Sequence, residues 1–128
     1  MQGDGQYNIQ RDEALPRSAR LNNKRDFQQV FDRAIKVVDD CFTLLARKTS
    51  LGQARLGMAI SKKIARRAVD RNRIKRNVRE SFRLTRYELG AIDIVVLARR
   101  GLESKSNHEM RASLDSLWPK LVKRCEKS

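Results

Sequence analysis

A single α+β domain, an α/β sandwich with the element order α-β-β-β-α-β-α, is the fold this chain predicts, and three observations carry that reading. The 128 residues suffice for one modest core and not for two. Period-two alternation of apolar residues marks short segments between positions 36 and 60, whereas helical periodicity marks the segments on either side. A strand meander followed by helix, strand and helix argues for helices packed on one sheet, not for a doubly wound parallel fold.

Taken in order, residues 1–15 are polar, with two early glycines and no sustained period, and read as a flexible tail ended by Leu15-Pro16. The folded domain is then 16–124, with 125–128 as a C-terminal tail. Asn23 is an N-cap candidate, Asp26 stands in the first turn, and Phe27, Val30, Phe31 and Ala34 recur at i, i+3, i+4 and i+7. That pattern predicts a short amphipathic helix. Positions 36–38 and 41–47 favour strands around Asp39-Asp40, and Leu51-Gly52-Gln53 supplies a turn. Leu56, Met58 and Ile60 alternate, so the three segments read as an antiparallel sheet that the first helix can cover. A long helix starts near Ala68 or Asp70, lasts to about Glu88 and is stopped by Gly90. The apolar run 92–98 is a further strand. Ser106 or Asn107 caps a last helix with Met110, Leu114, Leu117 and Leu121 on one face, in which Pro119 predicts a kink or an early end.

Composition narrows the function. Lys and Arg number 29 against 15 Asp and Glu, a formal charge of +14, so polyanions are the natural partners and nucleic acid leads them. No apolar run has the length of a membrane span, and positions 1–12 lack a secretory pattern, so a cytoplasmic protein without membrane attachment is expected. Cys41 and Cys125 match no metal-ligand spacing and read as reduced, structural thiols. His108 is the sole histidine, which leaves Ser–His–Asp, Cys–His and His-rich metal sites without their parts. No catalytic residue and no metal site on the protein is expected.

Most of the excess charge lies in 61–86, which holds eleven basic residues against Asp70 and Glu80 alone. On a helical wheel Ile74, Val78, Phe82, Thr85 and Leu89 share one side, and Lys75, Arg76, Arg79, Arg83 and Arg86 fall largely on the other. Charged helix faces are ordinarily just solvated. Such faces mix signs, however, so that acids and bases pair one turn apart, and this one has almost no acids. An anion is therefore expected to complete it. Arginine, with its planar fork, suits phosphate.

Ser61-Lys62-Lys63, then Ala68-Val69-Asp70-Arg71-Asn72-Arg73-Ile74-Lys75-Arg76, Arg79-Glu80 and Phe82-Arg83, together resemble the signature of the protein subunit of bacterial ribonuclease P. Supporting matches are Arg20-Leu21, Phe27, Phe31, Leu56-Gly57-Met58, Asp93-Ile94-Val95-Val96 and Ala98-Arg99, so the likeness spans residues 15 to about 121. It implies an accessory subunit of a ribonucleoprotein that removes the 5′ leader of precursor tRNA. Ribonuclease P RNA and precursor tRNA are the implied partners, with no obligate protein partner, and the RNA carries both catalysis and the active-site Mg2+. The implied fold has the Arg-Asn-Arg helix joining two parallel strands by a left-handed crossover.

By match, Arg71, Asn72, Arg73, Lys75 and Arg76, with Lys62, Lys63, Arg66, Arg67 and Arg79 nearby, would face the catalytic RNA. Arg71 falls towards the apolar side of the wheel, so its guanidinium has to escape at the helix start or lie in a crevice beside the sheet. Phe27 and Phe31, with Phe42 as a third member, would line a leader cleft, where rings stack on unpaired bases. Spacing alone reads Phe27 and Phe31 as a buried stripe, and that alternative stands. The sequence departs from the family pattern at Ala65 and Arg66, where glycine and a small residue are common, and at Leu45 and Ile94, where some relatives carry tyrosine.

Three other readings compete. A ribosomal-type scaffold protein explains size and charge and is separated only by the signature in 62–83. A DNA helix reader lacks a convincing helix-turn-helix partner. A self-sufficient nuclease lacks an acid–base pair or metal cluster.

Overall fold

Asn23 opens the first helix as expected, its Oδ1 accepting the Asp26 N–H at 2.9 Å. The computed structural model describes residues 15–32 and 34–127. Helix α1 is Lys24–Asp32, followed by strands β1 (Ile35–Val38), β2 (Phe42–Lys48) and β3 (Arg55–Ala59), helix α2 (Ala68–Thr85), strand β4 (Ile92–Ala98) and helix α3 (Asn107–Lys127). This is the predicted order. Ala34 lies beyond α1 and is exposed, so the helix is shorter than its apolar period suggested.

The four strands form one sheet in the order β1-β2-β4-β3. β1 pairs with β2 and β2 with β4 antiparallel, while β3 lies parallel to β4. The all-antiparallel meander is thus corrected: β4 enters between β2 and β3. Its sequence gives the reason. Five successive residues, Ile92 to Val96, are buried, as a central strand covered on both faces requires. The connection through α2 is the helical crossover that parallel neighbours need.

The sheet has unequal faces. One carries Leu44, Ala46, Leu56, Ile94 and Val96, and it buries the main core under α2 and α3, with Ile74, Val78 and Phe82 from α2 and Met110, Leu114, Leu117 and Leu121 from α3. Phe82 meets Trp118 edge to face with ring centres 5.9 Å apart, and the Trp118 Nε1–H donates to Ser81 Oγ at 2.8 Å. On the other face α1 rests against β2 and β4 over a small second core of Leu21, Val30, Leu45 and Val95, with Phe27 and Leu97 packed beside it.

Both expected tails need adjustment. Positions 1–14 lie outside the described residues, but Leu15 is buried in the main core. At the other end α3 continues through Cys125, also buried, to Lys127. Pro119 neither ends nor cuts the helix short: its missing N–H forfeits one hydrogen bond, and the buried residues Leu117, Trp118, Leu121 and Cys125 hold the turns on both sides against the core. Ser106 caps this helix in a reciprocal box, its Oγ accepting the Glu109 N–H at 3.0 Å and its N–H donating to Glu109 Oε1 at 2.9 Å.

Candidate nucleic-acid interface

The turn before α2 and the exposed side of that helix concentrate the predicted cations. Ser61 closes the turn by accepting the N–H groups of Ile64 and Ala65 on its carbonyl at 3.1 and 3.0 Å. This buries the Ala65 methyl in the core and leaves Lys62, Lys63, Arg66 and Arg67 exposed. Along α2, Ile74, Val78 and Phe82 are buried as the wheel requires, Asn72 and Arg76 are exposed, and Lys75 and Arg79 are half-buried.

The two arginines of the Arg-Asn-Arg triplet are engaged within the protein. Arg71 Nη1 donates to the carbonyls of Ala65 at 2.9 Å and Arg66 at 2.8 Å, so its guanidinium escapes at the helix start and pins the preceding turn. Arg73 Nη1 donates to Lys105 O at 3.0 Å and Asn107 Oδ1 at 2.9 Å, and its Nη2 to Glu103 O at 2.9 Å, tying α2 to the start of α3. Asn77, which the sequence reading passed over, completes this junction by donating to Asn107 Oδ1 at 2.9 Å. Both arginines thus fix the platform, and both side chains remain only partly buried.

Acids barely offset the remaining charge. Among the described residues, Arg67 pairs with Asp70 at 3.2 Å and Arg83 pairs with Glu80, whereas Lys62, Lys63, Arg66, Lys75, Arg76 and Arg79 have no ion pair. Burial, then the charges of Arg79 and Arg71, pulls the Lys75 ammonium below its ordinary value. Burial, then Arg20 and Arg76, does the same to Arg79. A helix flank on which cations weaken one another is poised for anions.

Beside this flank lies the second sheet face. Phe27 sits directly over Gly57: a Cβ there would stand 2.6 Å from Phe27 Cζ, so glycine is what lets the ring reach the sheet. Phe31, one turn on, is 43% exposed. Phe27 therefore combines the two readings of the aromatic stripe, and Phe31 stands free of the core. Phe42 is a correction: it is 0% exposed and lies in the main core on the opposite face, because strand alternation groups it with Leu44 and Ala46 and turns Thr43 and Leu45 towards α1. Ile94 is likewise in the main core, away from this face, whereas Leu45 is on it.

The reading also missed an ion pair that holds this face in place. Arg55 Nε and Nη2 donate to the two oxygens of Asp93 at 2.9 and 2.8 Å, and Arg55 Nη1 lies 3.5 Å from Asp26 on α1. The signal was present in the sequence, since Asp93 is a lone acid inside an apolar run and needs a buried cation. Among the described residues no group of three or more His, Cys, Asp or Glu could hold a metal, and no helix is long and apolar enough to cross a membrane.

A sheet covered by helices on one face and by a single short helix on the other, flanked by a cationic helix with few acids, defines a small polyanion-binding protein. The chain belongs to the ribonuclease P protein family, whose model matches residues 15–122. It is 49% identical over 114 residues to the ribonuclease P protein component of Thioalkalivibrio sulfidiphilus, covering 89% of this chain and 95% of that one. It is 47% identical over 111 residues to that of Idiomarina loihiensis, covering 86% and 89%. Solved structures agree: an RNase P protein from Staphylococcus aureus superposes with a TM-score of 0.72 at 30% identity, covering 77% of this chain and 90% of that one, and that from Thermotoga maritima with 0.70 at 31%, covering 79% and 96%.

Proposed function

We propose that this chain is the protein component of a ribonuclease P ribonucleoprotein and acts in the 5′ maturation of tRNA in the cytoplasm, with the RNA subunit performing the cleavage. The turn 61–67 and the exposed flank of α2 dock on ribonuclease P RNA, and the face beside α1, with Phe27 and Phe31, receives the 5′ leader of precursor tRNA. The observation that carries this reading is that Lys62, Lys63, Arg66, Lys75, Arg76 and Arg79 have no acidic partner among the described residues. Such a surface binds a phosphate backbone without reading its sequence. The aromatic pair suits a leader of variable composition, because every base has a face to stack. Mg2+ prefers several oxygen ligands, and among the described residues no group of three or more His, Cys, Asp or Glu could supply them; on this reading the ion is held mainly by the RNA subunit.

Reconstitution tests the proposal. Added to a bacterial ribonuclease P RNA with precursor tRNA, the chain should lower the magnesium concentration needed for cleavage and tighten binding of substrates that carry a leader over those that lack one. No such effect, or leader removal by the chain without RNA, contradicts it.

A further inference from the structure

We infer that the C-terminal part of α3 and the β1 edge form a second phosphate-binding surface, on which a separate segment of ribonuclease P RNA docks, so that the protein bridges two parts of that RNA. The inference rests on the RNA-binding role above and adds to it a surface at the opposite edge of the sheet from the cationic flank of α2.

The strand order β1-β2-β4-β3 makes β1 and β3 the two edges, three strand spacings or about 14 Å apart. At the β3 edge Arg20 bridges to Leu56 and shares a cleft with Lys75 and Arg79, so the flank of α2 belongs to that side. Helix α3 packs over β1 and β2 instead. Where it meets the β1 edge lies an open cleft of about 620 Å³, lined by Val37, Val38, Lys120, Lys123, Arg124 and Lys127 and by no carboxylate.

The four cations recur at i, i+3, i+4 and i+7, so they share about 100° of arc and about 10 Å of helix length. Ser116 and Ser113 continue the stripe towards the helix start, whereas Asp115 and Glu126 fall on other sides of the helix. Asp39, which follows Val38 in the chain, is held in its turn by the N–H groups of Cys41 and Phe42 and by the Ser113 hydroxyl. Lys120, Lys123 and Lys127 are exposed and have no ion pair among the described residues.

Two ordinary roles account for part of this charge. Cations in the last turn of a helix complement its dipole, which covers Arg124 and Lys127. Cations also guard an open sheet edge, and Arg124 Nη1 donates to Lys36 O at 3.0 Å, so that carbonyl points away from β2 and is already taken. Neither role calls for Lys120 and Lys123, which lie before the last turn. The Arg124 contact also decides the occupant: with the Lys36 carbonyl taken, an extended acidic peptide loses a rung of its ladder, whereas a phosphate backbone needs cations alone. The catalytic RNA is the source, because the leader is assigned to the sheet face under α1 and this stripe lies in the helical layer on the other face.

The test measures, by mass spectrometry, how fast each lysine of the full-length wild-type chain is acetylated, free and bound to ribonuclease P RNA. Lys120, Lys123 and Lys127 should be protected together with Lys62 and Lys63. In a second arm, Lys120→Gln, Lys123→Gln and Lys127→Gln combined should weaken binding to ribonuclease P RNA about tenfold and reduce its salt slope by about 3, one per lysine. Hydroxyl-radical footprinting of the RNA should then show one protected segment lost and the segment that Arg76→Gln exposes retained. Protection of Lys62 and Lys63 without the three α3 lysines refutes the second surface alone, and protection of none of the five refutes the broader role. Protection of the α3 lysines by precursor tRNA alone, by polyglutamate as well as by RNA, or by raising the protein concentration without RNA names another occupant and overturns the inference. The acetylation arm uses the wild-type chain, so a variant that fails to fold leaves the inference open to refutation.

Discussion

The guanidinium of Arg73 donates to the carbonyl of Lys105 at 3.0 Å, across 32 positions of sequence, and so the most recognisable arginine triplet of the chain also closes its fold. Its other donors reach Asn107 and Glu103. Arg73→Ala should therefore destabilise the protein by about 2–3 kcal/mol, since a charged donor leaves several acceptors without a partner. Arg76→Ala, on the exposed side of the same helix, should cost less than about 0.5 kcal/mol while weakening RNA binding. Urea unfolding separates the two, and equal stability losses would contradict the assignment.

A second expectation concerns Arg55 and Asp93. Asp93 is 0% and Arg55 18% exposed. Removing the arginine strands a buried carboxylate, so Arg55→Ala should cost about 3–5 kcal/mol. Asp93→Ala should cost less, because Arg55 keeps some solvent and still has Asp26 within 3.5 Å. Denaturant midpoints in the reverse order would refute this asymmetry.

The aromatic residues divide in the same way. Phe42→Ala empties a fully buried position and should cost about 3–5 kcal/mol. Phe31→Ala should leave stability within about 1 kcal/mol and weaken binding of precursor tRNA with a leader, with little effect on substrate without one. Thermal unfolding and a leader-dependence assay measure the two effects.

Acid should loosen the helix ends. Glu109 is held below its ordinary 4.5 by the Ser106 N–H and hydroxyl, and Glu80 by the Arg83 hydrogen bond. A carboxylate depressed in the folded state contributes stability that is fully present above its unfolded value and is lost as pH falls through its folded value. Stability followed by urea unfolding should thus decline from about pH 4.5 downward. Glu109→Gln should flatten part of that decline, and an unchanged profile in this variant would contradict the capping role.

Legibility in the sequence followed the range of each interaction. Element order, the apolar stripes of α2 and α3, and the caps at Asn23 and Ser106 were readable because each depends on neighbours within a turn or two. The pairing of β3 with β4 was not readable from alternation, which gives a strand its faces and not its partner; only the resemblance implied two parallel strands there. Phe42 shows the same limit from another side, since period two groups it with Leu44 and Ala46 but leaves open which face the helices cover. Arg71 and Arg73 were found as residues, yet their carbonyl partners lie in turns whose positions only the folded backbone determines. Arg20 stood out only as a matching residue, because its company with Lys75 and Arg79 arises from an edge contact with β3.

The central claim is that the unpaired cations of α2 and its preceding turn meet RNA phosphates. The direct measurement is the salt dependence of binding to ribonuclease P RNA for wild type, Lys62→Gln and Arg76→Gln. With roughly six phosphates neutralised, affinity should fall about a thousandfold between about 50 and 200 mM salt, and each substitution should reduce the slope by about 1. A nearly flat titration, or slopes that the substitutions leave unchanged, would contradict it.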